Sequence, residues 1–421
     1  MKVMISHIKT FLSHDDLLDN NVRSILKNNL GYIFFHLGDY AAAQEIFEKN
    51  LTMLDEKEGL NKDKIAKVFL HLGHIYYEFD NHNKSIEFYE KCLSVYRNNS
   101  SNSQLEIAQV LTYLGNTYRA SGDYKTATHF LNKSLAIYNN NPSRDQLGFA
   151  QALYQLGRVY RAVGFYENAQ SLLEKSLAIY KVHSSNQGIN SLIVSTHLGK
   201  VYRNLGNYLK AKELHEESVN IHRKLFGNNN IKTAWALAHL GNIYNELGDF
   251  HKAKKALEES LAIHKKCLPD NHLRLSFVSS YWATTLMYMG NYSEAEQIFE
   301  RILDSYKRNF GEEHIQTARI MRSLGEVNLL KDNLDAAEKF FVKAYQIFQA
   351  NKHPDLYIFL ESMADLELKK SQKAKDEGSM EKAEDFAKRA SEHLQHALKT
   401  LHIYFPKVSC HMKRIQKKLS L

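Results

Sequence analysis

The stretch Leu114-Gly-Asn-Thr-Tyr-Arg-Ala-Ser-Gly-Asp-Tyr124 (LGNTYRASGDY) recurs with variations every 42 residues along the chain. The step can be counted on one column: Gly31, Gly73, Gly115, Gly157, Gly199, Gly241, Ala283 and Gly325. Eight units in constant register predict a solenoid, in which each unit buries its apolar face only against its neighbours. The repeat therefore fixes the fold class as all-α before any other feature is weighed.

Aligned on that glycine, the units share further columns. One residue earlier stand Leu30, Leu72, Leu114, Leu156, Leu198, Leu240, Trp282 and Leu324. Three residues later stand Phe34, Tyr76, Tyr118, Tyr160, Tyr202, Tyr244, Leu286 and Asn328. This spacing places an apolar stripe on one side of a helix. Seven residues after the glycine the helix is expected to end, at Gly38, Asp80, Gly122, Gly164, Gly206, Gly248, Gly290 and Asp332, residue types that accept a left-handed turn. Cap-forming side chains follow at Asp39, Asn81, Asp123, Asn207, Asp249, Asn291 and Asn333. A second helix then carries a small residue at Ala43, Ser85, Ala127, Ala169, Ala211, Ala253, Ala295 and Ala337. Small residues on both helices let the two backbones approach, so each unit reads as a helix–turn–helix hairpin.

The pattern [LW]-[GA]-x-x-[YF]-x-x-x-G-x-[YF]-x-x-A over residues 25–348 resembles the tetratricopeptide repeat family. The 42-residue period, with LFGNNNIKTA at 225–234, LAIHKKCLPDNH at 261–272 and NFGEEHIQTA at 309–318, is similar to the kinesin light chain subtype. The resemblance implies a right-handed superhelix of eight to nine hairpins. It also implies a concave wall lined by the residues one and four after each glycine. Residues 1–25 show no long heptad run, so the heavy-chain-binding coiled coil of kinesin light chains is not expected there.

The ends depart from the pattern, as solenoid caps do. Residues 1–24 read as an N-terminal capping helix, 25–348 as eight tandem units, 349–402 as an irregular ninth hairpin, and 403–421 as a basic tail with Lys407, Lys413, Arg414, Lys417 and Lys418. Of 421 residues, 24% are charged and only 4 are Pro, which suits a helical chain. The 3 cysteines, Cys92, Cys267 and Cys410, form no CxxC site or paired framework. They point to a reducing, cytoplasmic compartment, with Cys92 a buried thiol. No run approaches the length of a membrane span. The net charge of +8 comes partly from the tail, and no nucleic-acid-reading motif accompanies it.

No catalytic motif survives inspection, so no enzyme activity and no cofactor is expected. His71 and His74, three apart on one helix, lack a nameable third ligand, so no metal is expected either. The expected site is a peptide-binding groove. Arg119, Arg161 and Arg203 stack in three successive units, with Asn116, Arg158, Lys200 and Asn242 in the adjacent column and Asn245 following, and Tyr77 and Tyr154 beside them. Arg and Asn donate to carboxylates and to peptide backbone. Glu78 and Glu246 are the acids available to offset these cations. Phe35, Tyr32 and His74 make one end of the groove aromatic, and Met287, Tyr288 and Phe277 make the other end apolar. The expected partner is a protein or peptide with acidic residues and an aromatic anchor, similar to the Trp-acidic cargo peptides that kinesin light chains recognise. The expected role is that of a non-catalytic scaffold or adaptor. The alternative is a regulator resembling bacterial peptide-responsive tetratricopeptide proteins, which change shape on binding a small peptide.

Overall fold

The computed structural model describes residues 20–55, 62–98, 104–140, 145–183, 188–269, 272–351, 353–404 and 410–420. Among them every regular element is a helix. Hairpins run in sequence order as α1 (Asn20–His36) with α2 (Tyr40–Asp55), α3 (Lys62–Glu78) with α4 (His82–Arg97), α5 (Gln104–Ala120) with α6 (Tyr124–Asn140), and α7 (Gln146–Ala162) with α8 (Tyr166–His183). They continue as α9 (Ile189–Asn204) with α10 (Tyr208–Phe226), α11 (Ile231–Glu246) with α12 (Phe250–Cys267), α13 (Leu273–Tyr288) with α14 (Tyr292–Phe310), and α15 (Ile315–Leu330) with α16 (Leu334–Ala350). The longer α17 (Leu356–Asp376) and α18 (Met380–Tyr404) form the ninth hairpin, and α19 (Cys410–Leu419) follows. The capping helix expected over 1–24 falls mostly outside the described residues. Residues 410–419, read from sequence as tail, are helical.

The chain folds as two compact units, Met1–Val159 with Ala178–Ser184, and Tyr160–Leu177 with Ser185–Leu421. The division falls within α7 and α8.

The glycine column works by close approach. A Cβ on Gly31, Gly73, Gly115, Gly241 or Gly325 would lie 2.8, 2.5, 2.5, 2.5 and 2.5 Å from Phe47, Tyr89, Leu131, Leu257 and Phe341 respectively, sixteen residues along on the second helix of the same hairpin. The small column beside it, Ala43 through Ala337, is fully buried. Gly241→Leu is therefore expected to destabilise the second unit by about 2 kcal/mol or more, because overpacking at roughly 1–3 kcal/mol is only partly offset by better helix propensity. A lowered urea midpoint, with faster amide exchange in α11 and α12, is the measurement. An unchanged midpoint would contradict this packing.

The turn column has positive φ throughout, from Asp80 at 54° to Gly122 at 88°. Asp39, Asn81, Asp123, Asn207 and Asp249 accept N-cap hydrogen bonds from the backbone three residues on, at 3.0–3.3 Å. Asn291 and Asn333, expected to do the same, make no such bond. Asn333 donates instead to Asn328 Oδ1 at 3.1 Å, where six of the other seven units carry an aromatic side chain.

Neighbouring hairpins are joined by a repeated polar link. Tyr76, Tyr202 and Tyr244 donate to Glu48, Glu174 and Glu216 on the preceding second helix, at 3.2, 2.5 and 2.8 Å. Buried Tyr76 and Tyr202 and half-buried Tyr244 thus satisfy their hydroxyls while their rings fill the seam. Cys92 is buried, and its thiol pKa is pushed up to about 12 by burial.

Candidate functional site

The residues expected to line a groove form one set in each compact unit. In the first unit, Asn116 Oδ1 accepts from Arg119 Nη2 at 3.1 Å and from Arg158 Nη1 at 3.4 Å. Arg158 also donates to Gln155 at 3.0 Å and lies over the Tyr154 ring, 5.4 Å from its centroid. Two guanidinium groups converge on one neutral carbonyl oxygen. Burial, and after it the neighbouring Arg158, draws the Arg119 pKa down. Both influences disfavour the positive charge, and both would be relieved by an incoming anion. Tyr77 is half-buried on the preceding first helix. At the other end of this unit, Phe35, Tyr32, His71 and His74 pack on one another rather than standing apart, with Phe47 stacked on His71 at 5.0 Å. His74 Nδ1 is engaged by the Tyr89 hydroxyl at 2.6 Å. The described residues contain no group of three metal-binding side chains.

In the second unit, Arg161, Lys200, Arg203, Asn242 and Asn245 line one cavity of about 610 Å³. That is within the usual range for ligand sites, roughly 300–1,000 Å³. Arg203 lies 3.8 Å from Glu246. Burial works against the Arg203 charge, but Tyr281 and Glu246 outweigh it and the net effect on its pKa is upward. Asn245 also bonds to the next first helix. Its amide donates to Tyr281 O at 3.3 Å and accepts from Thr285 Oγ1 at 3.0 Å, so it ties α11 to α13. Met287 differs from expectation: it is buried in the core with Phe299 and Leu303, while Tyr288 stays exposed. Phe277 does line the cavity.

Several wall residues fall outside the two columns read from sequence. Arg319 and Arg322 come from α15, six and three residues before Gly325. Arg319 donates to Asp355 at 2.7 Å, and Asp355 also accepts from Tyr166 at 3.0 Å. Burial would raise the Asp355 pKa, but Arg319 and His353 outweigh it and hold the carboxyl below its ordinary value. Arg322 pairs with Glu326. The last part of the wall is α17 with α19. Glu361 accepts from Arg414 Nε and Nη2 at 2.8 and 2.6 Å, and Lys418 donates to both Asp365 oxygens at 2.6 and 2.7 Å. His411 Nε2 meets Asn204 O at 2.9 Å, and its ring lies 5.2 Å from that of Tyr357. Two basic residues of the expected tail, Arg414 and Lys418, are thus paired within the protein, while Lys413 and Lys417 are exposed and Lys407 lies outside the described residues. The signal was present in the sequence: Glu361 and Asp365 are four apart, as are Arg414 and Lys418, which puts matching charges on single helix faces.

The tetratricopeptide repeat model matches residues 22–98, 65–140, 106–182, 190–266 and 276–350. The chain belongs to the tetratricopeptide repeat family, a fold that generally serves protein interaction rather than catalysis. No curated protein matches it. Among solved structures it is similar to the apo quorum sensor NprR from B. thuringiensis, with a TM-score of 0.61 and 13% identity over 82% of this chain and 92% of that one. It is similar to a Rap protein complexed with Competence and Sporulation Factor, with a TM-score of 0.59 and 14% identity over 90% of this chain and 99% of that one. A putative kinesin light chain from Podosopora anserina, with nearly identical repeats, matches 50% of this chain and 99% of its own at 22% identity and a TM-score of 0.41. Among the described residues no helix is long and apolar enough to cross a membrane.

Proposed function

We propose that the protein is a non-catalytic, ligand-responsive binding protein that takes a short peptide carrying carboxylates into the cavity of its second unit. The observation that carries this reading is the cavity wall. Arg161, Lys200 and Arg203 come from two consecutive repeats, Arg319 and Arg322 face the same space, and α19, a helix held by ion pairs, completes the enclosure. Charge-assisted hydrogen bonds to carboxylate are the strong use of such a donor set. The acids Glu246, Glu326 and Asp355 share the wall, so a ligand bearing backbone amides and some positive charge is accommodated too. The fold likeness to a quorum sensor and to a Rap protein solved with a bound factor agrees with ligand sensing. The first unit's Asn116–Arg119–Arg158 set supports the scaffold reading as a second role, an acidic partner segment held there. The three cysteines are unpaired, which fits a reducing compartment.

The test is peptide binding by the intact chain and by Arg161→Glu, read by fluorescence anisotropy across an acidic peptide library. Charge reversal is expected to weaken binding by about 1.5–3 kcal/mol, or roughly 10- to 150-fold. Affinity should also fall with added salt. Full retention of the peptides selected by the intact chain would overturn the reading.

A further inference from the structure

We propose that His215 and His239 form a proton-coupled carboxylate subsite in this cavity, where a ligand carboxylate lodges against the two rings and an imidazole takes up a proton from solvent as it binds. The inference rests on the ligand-binding reading above and names the chemistry of one part of that site.

The first observation is a column of the repeat. Sixteen residues after each glycine stand Phe47, Tyr89, Leu131, Leu173, His215, Leu257, Phe299 and Phe341, all buried against the first helix. Seven units spend that position on a large apolar or aromatic side chain. Only the fifth puts an imidazole there, 1% exposed. Burying a polar ring where leucine would pack costs stability, and local rules are broken in this way mainly at functional sites.

The second observation is the state of the two rings. His215 and His239 both line the cavity with centroids 5.7 Å apart. His239 is 5% exposed. No protein group among the described residues hydrogen-bonds His215 Nδ1 or His239 Nε2. Both rings line the same cavity, so these two nitrogens are free to bond a ligand there. Among the described residues no group of three His, Cys, Asp or Glu is placed to hold a metal ion, so the pair is read as a site for an anion.

The surroundings set the sign. Lys200 and Arg203 face the rings from α9, together with His197, which bears on His239; Trp235 packs on His239 from its own helix, and Phe277 and Tyr281 from α13. Burial, then Lys200 and Arg203, lowers the His215 pKa to about 3, and burial with Lys200 holds His239 well below its ordinary value. Both rings are neutral without a ligand. A carboxylate adds the missing counter-charge to a site already flanked by two cations. Protonating a ring then supplies an N⁺–H donor, with one N–H bond formed from a solvent proton and no bond of the ligand broken. By linkage, affinity rises as pH falls, by up to about tenfold per unit, while the ligand carboxylate stays ionised.

The experiment is an NMR titration of the histidine rings of the intact protein with millimolar succinate, against chloride at equal ionic strength and against uncharged succinamide. In chloride and in succinamide His215 and His239 should stay neutral between about pH 5 and 8. In succinate at least one should titrate inside that window, a rise of more than one pH unit. His215→Leu, a residue that packs in the same column of three other units, should fold, melt higher and lose the succinate effect. Rings that stay neutral in succinate would overturn the proposal, as would a shift of equal size in succinamide. A succinate shift alongside undiminished peptide binding by Arg161→Glu would leave an anion subsite and remove the peptide reading, so the two failures are separable.

Discussion

Gly164→Val is expected to destabilise the second unit by about 2–5 kcal/mol, through two penalties that add. Gly164 has φ +87°, a left-handed conformation that costs an L-residue roughly 1–2 kcal/mol and a β-branched one at least that. Its Cβ would also lie 2.1 Å from Pro354 Cγ, inside any tolerable contact, and overpacking adds roughly 1–3 kcal/mol. Pro354 cannot retreat freely. Its neighbour Asp355 is fixed by Tyr166 and Arg319, so displacing the turn also breaks a buried carboxylate's hydrogen bonds. Gly248→Val supplies the control: φ is +75° there, and nothing lies within 4 Å of the added Cβ. It should cost only the backbone term, about 1–2 kcal/mol. Denaturant midpoints of the two variants measure the difference. Equal losses would mean that Pro354 does not press on Gly164, and the docking of residues 353–355 on the start of α8 would be wrong.

That contact also shows where a sequence stops being readable. The hairpins were legible because they repeat: a glycine, an aromatic and a small residue at fixed spacing state the local packing eight times over. Arg161, Lys200 and Arg203 were legible for the same reason, since a column of first-helix positions keeps one orientation from unit to unit. Met287 stands in that same column but is buried in the core. The letter alone does not say whether a column position faces the cavity or the core in a given unit. Asp355, Arg319 and the α19 residues belong to no column. Their contacts join positions up to 207 residues apart, His411 to Asn204 being the longest. Only the charge spacing within α17 and α19 hinted at such a contact. His215 was visible as a letter but not as an exception, because the column it interrupts declares itself only once its closeness to the glycines is known.

Glu361→Lys is the second large effect, expected to undock α19 while leaving the repeats intact. Glu361 is 9% exposed and holds Arg414 in a two-pronged pair, with Lys418 3.0 Å away. The substitution removes the shared acceptor and adds a third cation. Breaking a fully buried pair costs roughly 3–5 kcal/mol; Arg414 and Lys418 are 43% and 26% exposed, so solvent screening reduces the expected loss to about 2–4 kcal/mol. Hydrogen exchange should show residues 410–419 losing protection while 315–350 keep theirs. The exchanged pair Glu361→Arg with Arg414→Glu should recover part of the loss, which a merely misfolded α17 would not.

Acid should imitate the substitution, and the sign can be worked out. Burial would raise the Glu361 pKa, but Arg414 and Lys418 outweigh it, so the folded value lies below the unfolded one. Its contribution is therefore full above the ordinary glutamate value of about 4.3 and is lost as pH falls through the depressed folded value. Asp365 works the other way. Burial raises its pKa despite Lys418, so it opposes docking at neutral pH and gives up its charge first on acidification. Protection of α19 should thus persist near pH 5 and disappear only below about 4. Because His411 and Arg414 line the cavity, undocking also opens its wall. Glu361→Lys should then admit an acidic peptide faster than the parent does. An α19 that stays protected in Glu361→Lys would show that the contacts of His411 with Tyr357 and Asn204 hold it without the ion pairs, and the wall would be a fixed one.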